Sequence, residues 1–231
     1  MCFLYLLLGH LLGDFVMQTN RIADNKVKYW QWNALHAAIV TLCMLLLSVP
    51  FGLLVMTLVL VNGVFHYYID FYKPKIADQY PLHGVVYFLA DQFIHILAIY
   101  LISKFAVMNA GFLFFDRRVI KVLIVITFVS SFAAILSQYI SNTLFADSSK
   151  RFFEVDEKSM GNLTRLVTVF GLYFSCTVSP SFLVFIAAIT ITLIVHYRKK
   201  WRMWMSHNYF ATKFFADMVM SFVGLAFLIY F

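Results

Sequence analysis

The chain has 231 residues, of which 62% are hydrophobic and 13% charged, with a formal net charge of +7. An ordinary soluble domain carries roughly 25% charged residues, so polar groups here are too few to cover a water-facing surface, and a soluble globular fold is excluded. The positive charge fits basic loops beside a bilayer better than a nucleic-acid interface, and no nucleic-acid partner is expected.

Taken in chain order, apolar runs predict eight membrane spans at about 2–18, 33–49, 51–72, 84–103, 119–140, 162–178, 180–197 and 209–230. Each has about the length a helix needs to cross the hydrocarbon core, and strand-like alternation is not evident, so the expected class is an all-α polytopic transmembrane bundle. The first run has no basic leader, holds His10 and Asp14, and reads as a span rather than a cleaved signal. Pro50 and Pro180 predict tight turns between helix pairs, and Lys73-Pro74-Lys75 is expected to end the third span. The segment 146–158 reads as a polar surface loop, and Arg198-Lys199-Lys200-Trp201-Arg202 as a basic, aromatic membrane boundary. Cys2, Cys43 and Cys176 have no paired spacing, so neither a disulfide framework nor a cysteine zinc site is expected. The expected organisation is a four-span, His/Asp-rich core over 1–103 and a four-span carboxy-terminal region over 104–231.

With eight spans, most lysines and arginines, from Arg21 to Lys213, fall in the loops after spans one, three, five and seven, Arg165 being counted with them at the start of span six. The opposite side holds Lys104, Arg117, Arg118 and Lys121. The positive-inside rule then puts both termini outside.

Ionisable residues inside spans are costly and call for a reason. His10 and Asp14, His66 and Asp70, and Asp91 and His95 are each four apart, on one helix face. His36 opens the second span. Under the alternating topology all seven converge near the cytoplasmic side. Imidazole and carboxylate groups ligate zinc, manganese or ferrous iron, so His10, Asp14, His36, His66, Asp70, Asp91 and His95 are the candidate metal ligands. Asp14, Asp70 and Asp91 could also orient ligands or act as a general base. A bound divalent ion, zinc or manganese, would supply hydroxide for hydrolysis of a lipid or membrane-proximal substrate. An ion or proton path, a non-catalytic membrane subunit, and hydrogen-bonded helix packing remain alternatives, and oligomerisation is left open. Asp217 lies alone in the last span and could pair with Arg165; His83, His196 and His207 read as interfacial, as do Gln138 and Asn142. No zinc-protease helix, phosphate loop or nucleophile elbow is present.

The run His10-Leu11-Leu12-Gly13-Asp14-Phe15-Val16-Met17-Gln18-Thr19, with Ala23, Asn25 and Lys26, resembles the first motif of a bacterial family, domain of unknown function 3307. Leu35-His36-Ala37, His66-Tyr67-Tyr68-Ile69-Asp70 with Lys73, and Asp91-Gln92-Phe93-Ile94-His95 resemble its next three, in order. Gly161-Asn162-Leu163-Thr164-Arg165 is similar to a motif of longer members, with Thr164 where a glutamate usually stands. The resemblance implies a multi-pass protein of the bacterial inner membrane and brings no activity with it. A looser similarity to membrane-bound metal-dependent hydrolases with His/Asp motifs favours an enzyme by analogy.

Overall fold

A computed structural model describes residues 1–79, 84–107, 113–145, 155–203 and 206–230. The described residues are mostly helical, with no β-strand among them: α1 Cys2–Leu11, α2 Asn20–Lys26, α3 Trp30–Ser48, α4 Leu53–Gln79, α5 Gly84–Ser103, α6 Arg117–Thr127, α7 Ala133–Phe145, α8 Val155–Thr177, α9 Leu183–Lys199 and α10 His207–Tyr230. They form two compact units, Met1–Thr127 and Phe128–Phe231. His83 and residues 146–154 of the expected polar loop lie outside the described residues, and α8 begins within that loop at Val155.

Among the described residues, six helical stretches are long and apolar enough to cross a membrane: Trp30–Phe51, Leu53–Ile76, Gly84–Ser103, Arg117–Ser141, Pro180–Lys199 and His207–Tyr230. A seventh is added if Cys2–Val16 and Asn20–Lys26, bent by 87°, count as one. The expected sixth span is also a helix, α8, but Asn162 and Arg165 keep it out of this set by lowering its hydropathy.

In the first unit α1 is central and packs against α3, α5 and α6. Nearly all its residues are buried, as an apolar surface on every side requires. Its glycines permit close approach to α3. A Cβ on Gly9 would lie 2.8 Å from Met44 Cα, and one on Gly13 only 2.5 Å from Val40 Cα, the small-residue contact typical of membrane helices. After Leu11 the helix widens over Leu12–Val16, where the Met17 N–H donates to the Leu12 carbonyl at 2.8 Å, five residues back. The chain then turns into α2, whose first turn is capped by the Thr19 hydroxyl accepting from the Ile22 N–H. α2 packs on α3, α3 on α4, and α4 on α5.

The two proline turns are present. Val49–Phe51 and Pro180–Phe182 are short 3₁₀ turns, the first leaving through Gly52 at φ 91°. The third span ends beside Lys73-Pro74-Lys75, near Ile76, while the helix α4 itself runs on past Pro74 to Gln79. Proline removes one backbone donor, but its fixed φ is compatible with helix. What ends near Ile76 is the apolar span, not the helix.

In the second unit α10 packs on α7 and α8, and α8 on α9. Two sequence expectations are corrected here. Arg165 is wholly buried rather than a loop-side cation, hydrogen-bonded to the Val129 carbonyl and to Asn162 and ion-paired with Asp217. Gln138 is buried rather than interfacial and donates to the Tyr209 hydroxyl at 2.7 Å. His196 lies edge-on to Trp201, with ring centroids 4.8 Å apart.

Candidate metal centre

Helical spacing brings each His/Asp pair to one face, and the packing of the first unit turns those faces inward. His10, Asp14, His36, His66, Asp70, Asp91 and His95 are all buried. Asp14 sits in the widened turn that follows α1. That turn and α3 are closely apposed through Gly13, which sets Asp14 against His36.

The tightest grouping surrounds His36. Its Nε2 lies 3.0 Å from Asp14 Oδ1, 3.3 Å from Asp70 Oδ2 and 3.3 Å from His66 Nε2. One ring N–H can serve only one of these three electron-rich neighbours. His66 Nε2 in turn lies 3.9 Å from Asp14 Oδ1 and 3.7 Å from Asp70 Oδ2. Ligand atoms held about 2.0–2.1 Å from a tetrahedral zinc-like ion stand about 3.3 Å from one another. The donor separations found here cluster around that value. The chemistry and spacing of Asp14, His36 and His66, one carboxylate and two imidazoles, could therefore hold a divalent ion.

A second grouping adjoins the first. In His66, Asp70 and His95 one ligand atom from each lies within 4.8 Å of the others, as in Asp14, His36 and His66. His66 belongs to both. Its ring centroid is 4.3 Å from that of His95, and His10 lies 5.1 Å from His95. His95 Nε2 and Asp91 Oδ1 face each other at 3.4 Å, yet neither makes a hydrogen bond among the described residues. Asp14 spans the two halves: Oδ1 faces His36, while Oδ2 accepts from Gln92 Nε2 at 3.0 Å and lies 3.9 Å from His10 Nε2.

Three residues that the site reading of the sequence left out complete the network. Gln92 donates to Asp14 and, at 3.2 Å, to Asp91, while its Oε1 is 3.4 Å from His10 Nε2. Lys26 Nζ donates to Asp70 Oδ2 at 2.7 Å, and Lys73 Nζ to Asp91 Oδ2 at 2.8 Å. With neutral histidines, three carboxylates face two ammonium groups, which leaves one negative charge for a further cation. Gln92 follows Asp91 directly and so lacks the four-residue spacing that marked the pairs. Lys26 and Lys73 carried a signal, since both stand in the quoted motifs, but their charge reads as loop charge in sequence.

No curated protein and no solved structure matches the chain. A family model described as "Protein of unknown function (DUF3307)" matches residues 2–119, just over half of the chain, and that stretch encloses every residue of the buried cluster. The four motifs from His10 to His95 are thus the family's own part of the molecule, and the chain belongs to the DUF3307 family.

Proposed function

We propose that this membrane protein holds one or two divalent metal ions, zinc or manganese, in the first unit, and uses them to hydrolyse a lipid or membrane-proximal substrate. The observation that carries this reading is the crowding of Asp14 Oδ1 and Asp70 Oδ2 around His36 Nε2 and His66 Nε2, each carboxylate oxygen 3.0–3.9 Å from the imidazole nitrogens. In it, His10, His36, His66 and His95 are ligands, and Asp14, Asp70 and Asp91 are ligands or proton acceptors. The two three-ligand groups share His66, and ions bound there would supply stabilisation for the attacking and leaving oxygens of a hydrolysis. Lys26 and Lys73 pair with the Asp70 and Asp91 carboxylates and would compete with a metal ion for them. The location proposed is the bacterial inner membrane, with the cluster towards the cytoplasmic leaflet.

The test is elemental analysis of protein purified without chelators, followed by ester and phosphoester hydrolysis in proteoliposomes before and after metal removal. Stoichiometric metal and metal-dependent turnover are expected. Absence of stoichiometric metal overturns the reading. A second reading, ion or proton translocation, draws on the unbroken polar chain from His10 through Gln92 and Asp14 to His36 and His66. Flux across the same proteoliposomes without turnover would favour it.

A further inference from the structure

We propose that the groove lined by the end of α9 and the start of α10 in the second unit is a binding site for an anionic phospholipid, its phosphate held by Arg198 and Arg202. The two helices enclose a groove of about 680 Å³, within the range of about 300–1,000 Å³ typical of small-ligand sites. One end is lined by Arg198, Arg202 and His207, and the rest is apolar, with Ile194, Phe210 and Phe214 among its walls. Stacking of Tyr197 on Phe210, ring centroids 4.1 Å apart, stiffens the wall beneath the basic end.

Charge balance points to the occupant. Arg198 and Arg202 are exposed, and neither makes an ion pair among the described residues. Asp217, the one acid of the second unit whose side chain is described, is committed to Arg165. The guanidinium fork matches phosphate oxygens in pairs and is weakly hydrated, which suits the headgroup region. Both flanking helices are candidate spans, Pro180–Lys199 and His207–Tyr230, and the basic turn joins their ends. Phe215, which also lines the groove, is 69% exposed. An acyl chain along this apolar flank and a phosphate at its basic end satisfy both halves of the groove together. Clusters of basic residues immediately beside a span recognise anionic lipid in this way.

The site lies in the second unit, while every residue of the proposed metal centre lies in the first. Failure of either reading therefore leaves the other standing. The experiment places the full chain in phosphatidylcholine nanodiscs and titrates phosphatidylglycerol, with retention followed by native mass spectrometry. Saturable retention of phosphatidylglycerol is expected, with inorganic phosphate failing to displace it. Arg198→Gln with Arg202→Gln should weaken binding at least about tenfold, because each removes a charge-assisted hydrogen-bonded contact to the phosphate rather than a screened surface charge. Ala211→Trp fills the groove without changing charge and should abolish retention. Lys199→Gln with Lys200→Gln removes the same charge outside the groove lining and should change binding less than about threefold. Arg202→Gln alone carries the test if the double variant does not insert. Equal loss in the arginine and lysine pairs, equal retention of phosphatidylcholine, or displacement by inorganic phosphate would each overturn the proposal.

Discussion

His66 is the residue on which the metal reading turns, because it is shared by both three-ligand groups. His36→Ala leaves His66, Asp70 and His95; His95→Ala leaves Asp14, His36 and His66. Loss of His66 leaves neither set intact. Removing groups that merely orient ligands costs about ten- to a hundredfold in metal affinity. Loss of a direct ligand from both groups should therefore cost at least about a hundredfold, or roughly 2.8 kcal/mol. His66→Gln is the informative form: it keeps a hydrogen-bonding side chain of similar length but is a poor zinc ligand. If the histidines serve only helix packing, where such contacts are usually worth less than about 2 kcal/mol, His66→Gln should unfold near the wild-type temperature and metal should be irrelevant to both proteins. Metal content by mass spectrometry and competition with a chromogenic chelator give the ranking. The expected order of loss is His66 first, with His36 and His95 intermediate. Metal retained at wild-type level in His66→Gln would refute the argument.

Four further outcomes are expected. Lys26→Met removes an ammonium 2.7 Å from Asp70 Oδ2, a competitor for the carboxylate, and should tighten divalent-ion binding by about tenfold, given roughly 4 kcal/mol per unit charge at 4 Å near a protein surface before further screening; chelator competition reads it. Gly13→Ala sets a Cβ against the α3 backbone, which cannot rotate away, and should cost about 3 kcal/mol, the upper end for overpacking, seen as a lower unfolding temperature in detergent. Asp217→Ala strands the buried Arg165 charge and should cost about 3–5 kcal/mol, much of it recovered when Arg165→Met is added. Reporter fusions after Ile76 and Lys200 should read cytoplasmic and a fusion at Phe231 external; a cytoplasmic carboxy terminus would overturn the charge-based topology.

The part of the site that was legible in sequence was the part written in helical period. His10 and Asp14, His66 and Asp70, and Asp91 and His95 share faces because four residues make about one turn, and alternating span direction brings those turns to one depth. Helix period carries no information about what a bend does. The 87° turn after Val16 brings α2 back along α3, and only then does Lys26 reach Asp70, forty-four positions away. The same holds for Gln92, which projects about 100° around the helix from Asp91 and reaches Asp14 only because α1 and α5 pack together. Charge counting misplaced Arg165 for a related reason. It assumes that a cation near a span end faces water, whereas Arg165 is drawn into the bundle by Asp217 and Asn162. That neutralisation also bears on α8, which the apolar run 162–178 marks as a span although it lies outside the set of six. Once its arginine is paired, burial of the helix no longer exposes a charge to lipid. The two buried ionic systems differ in the sense that matters for function. Arg165 and Asp217 balance one charge against one, and two further guanidinium N–H groups donate to the Val129 carbonyl and to Asn162. The cluster from His10 to His95 sets three carboxylates against two lysines and crowds acceptors around a single imidazole nitrogen. The first arrangement is closed; the second has capacity for one more cation.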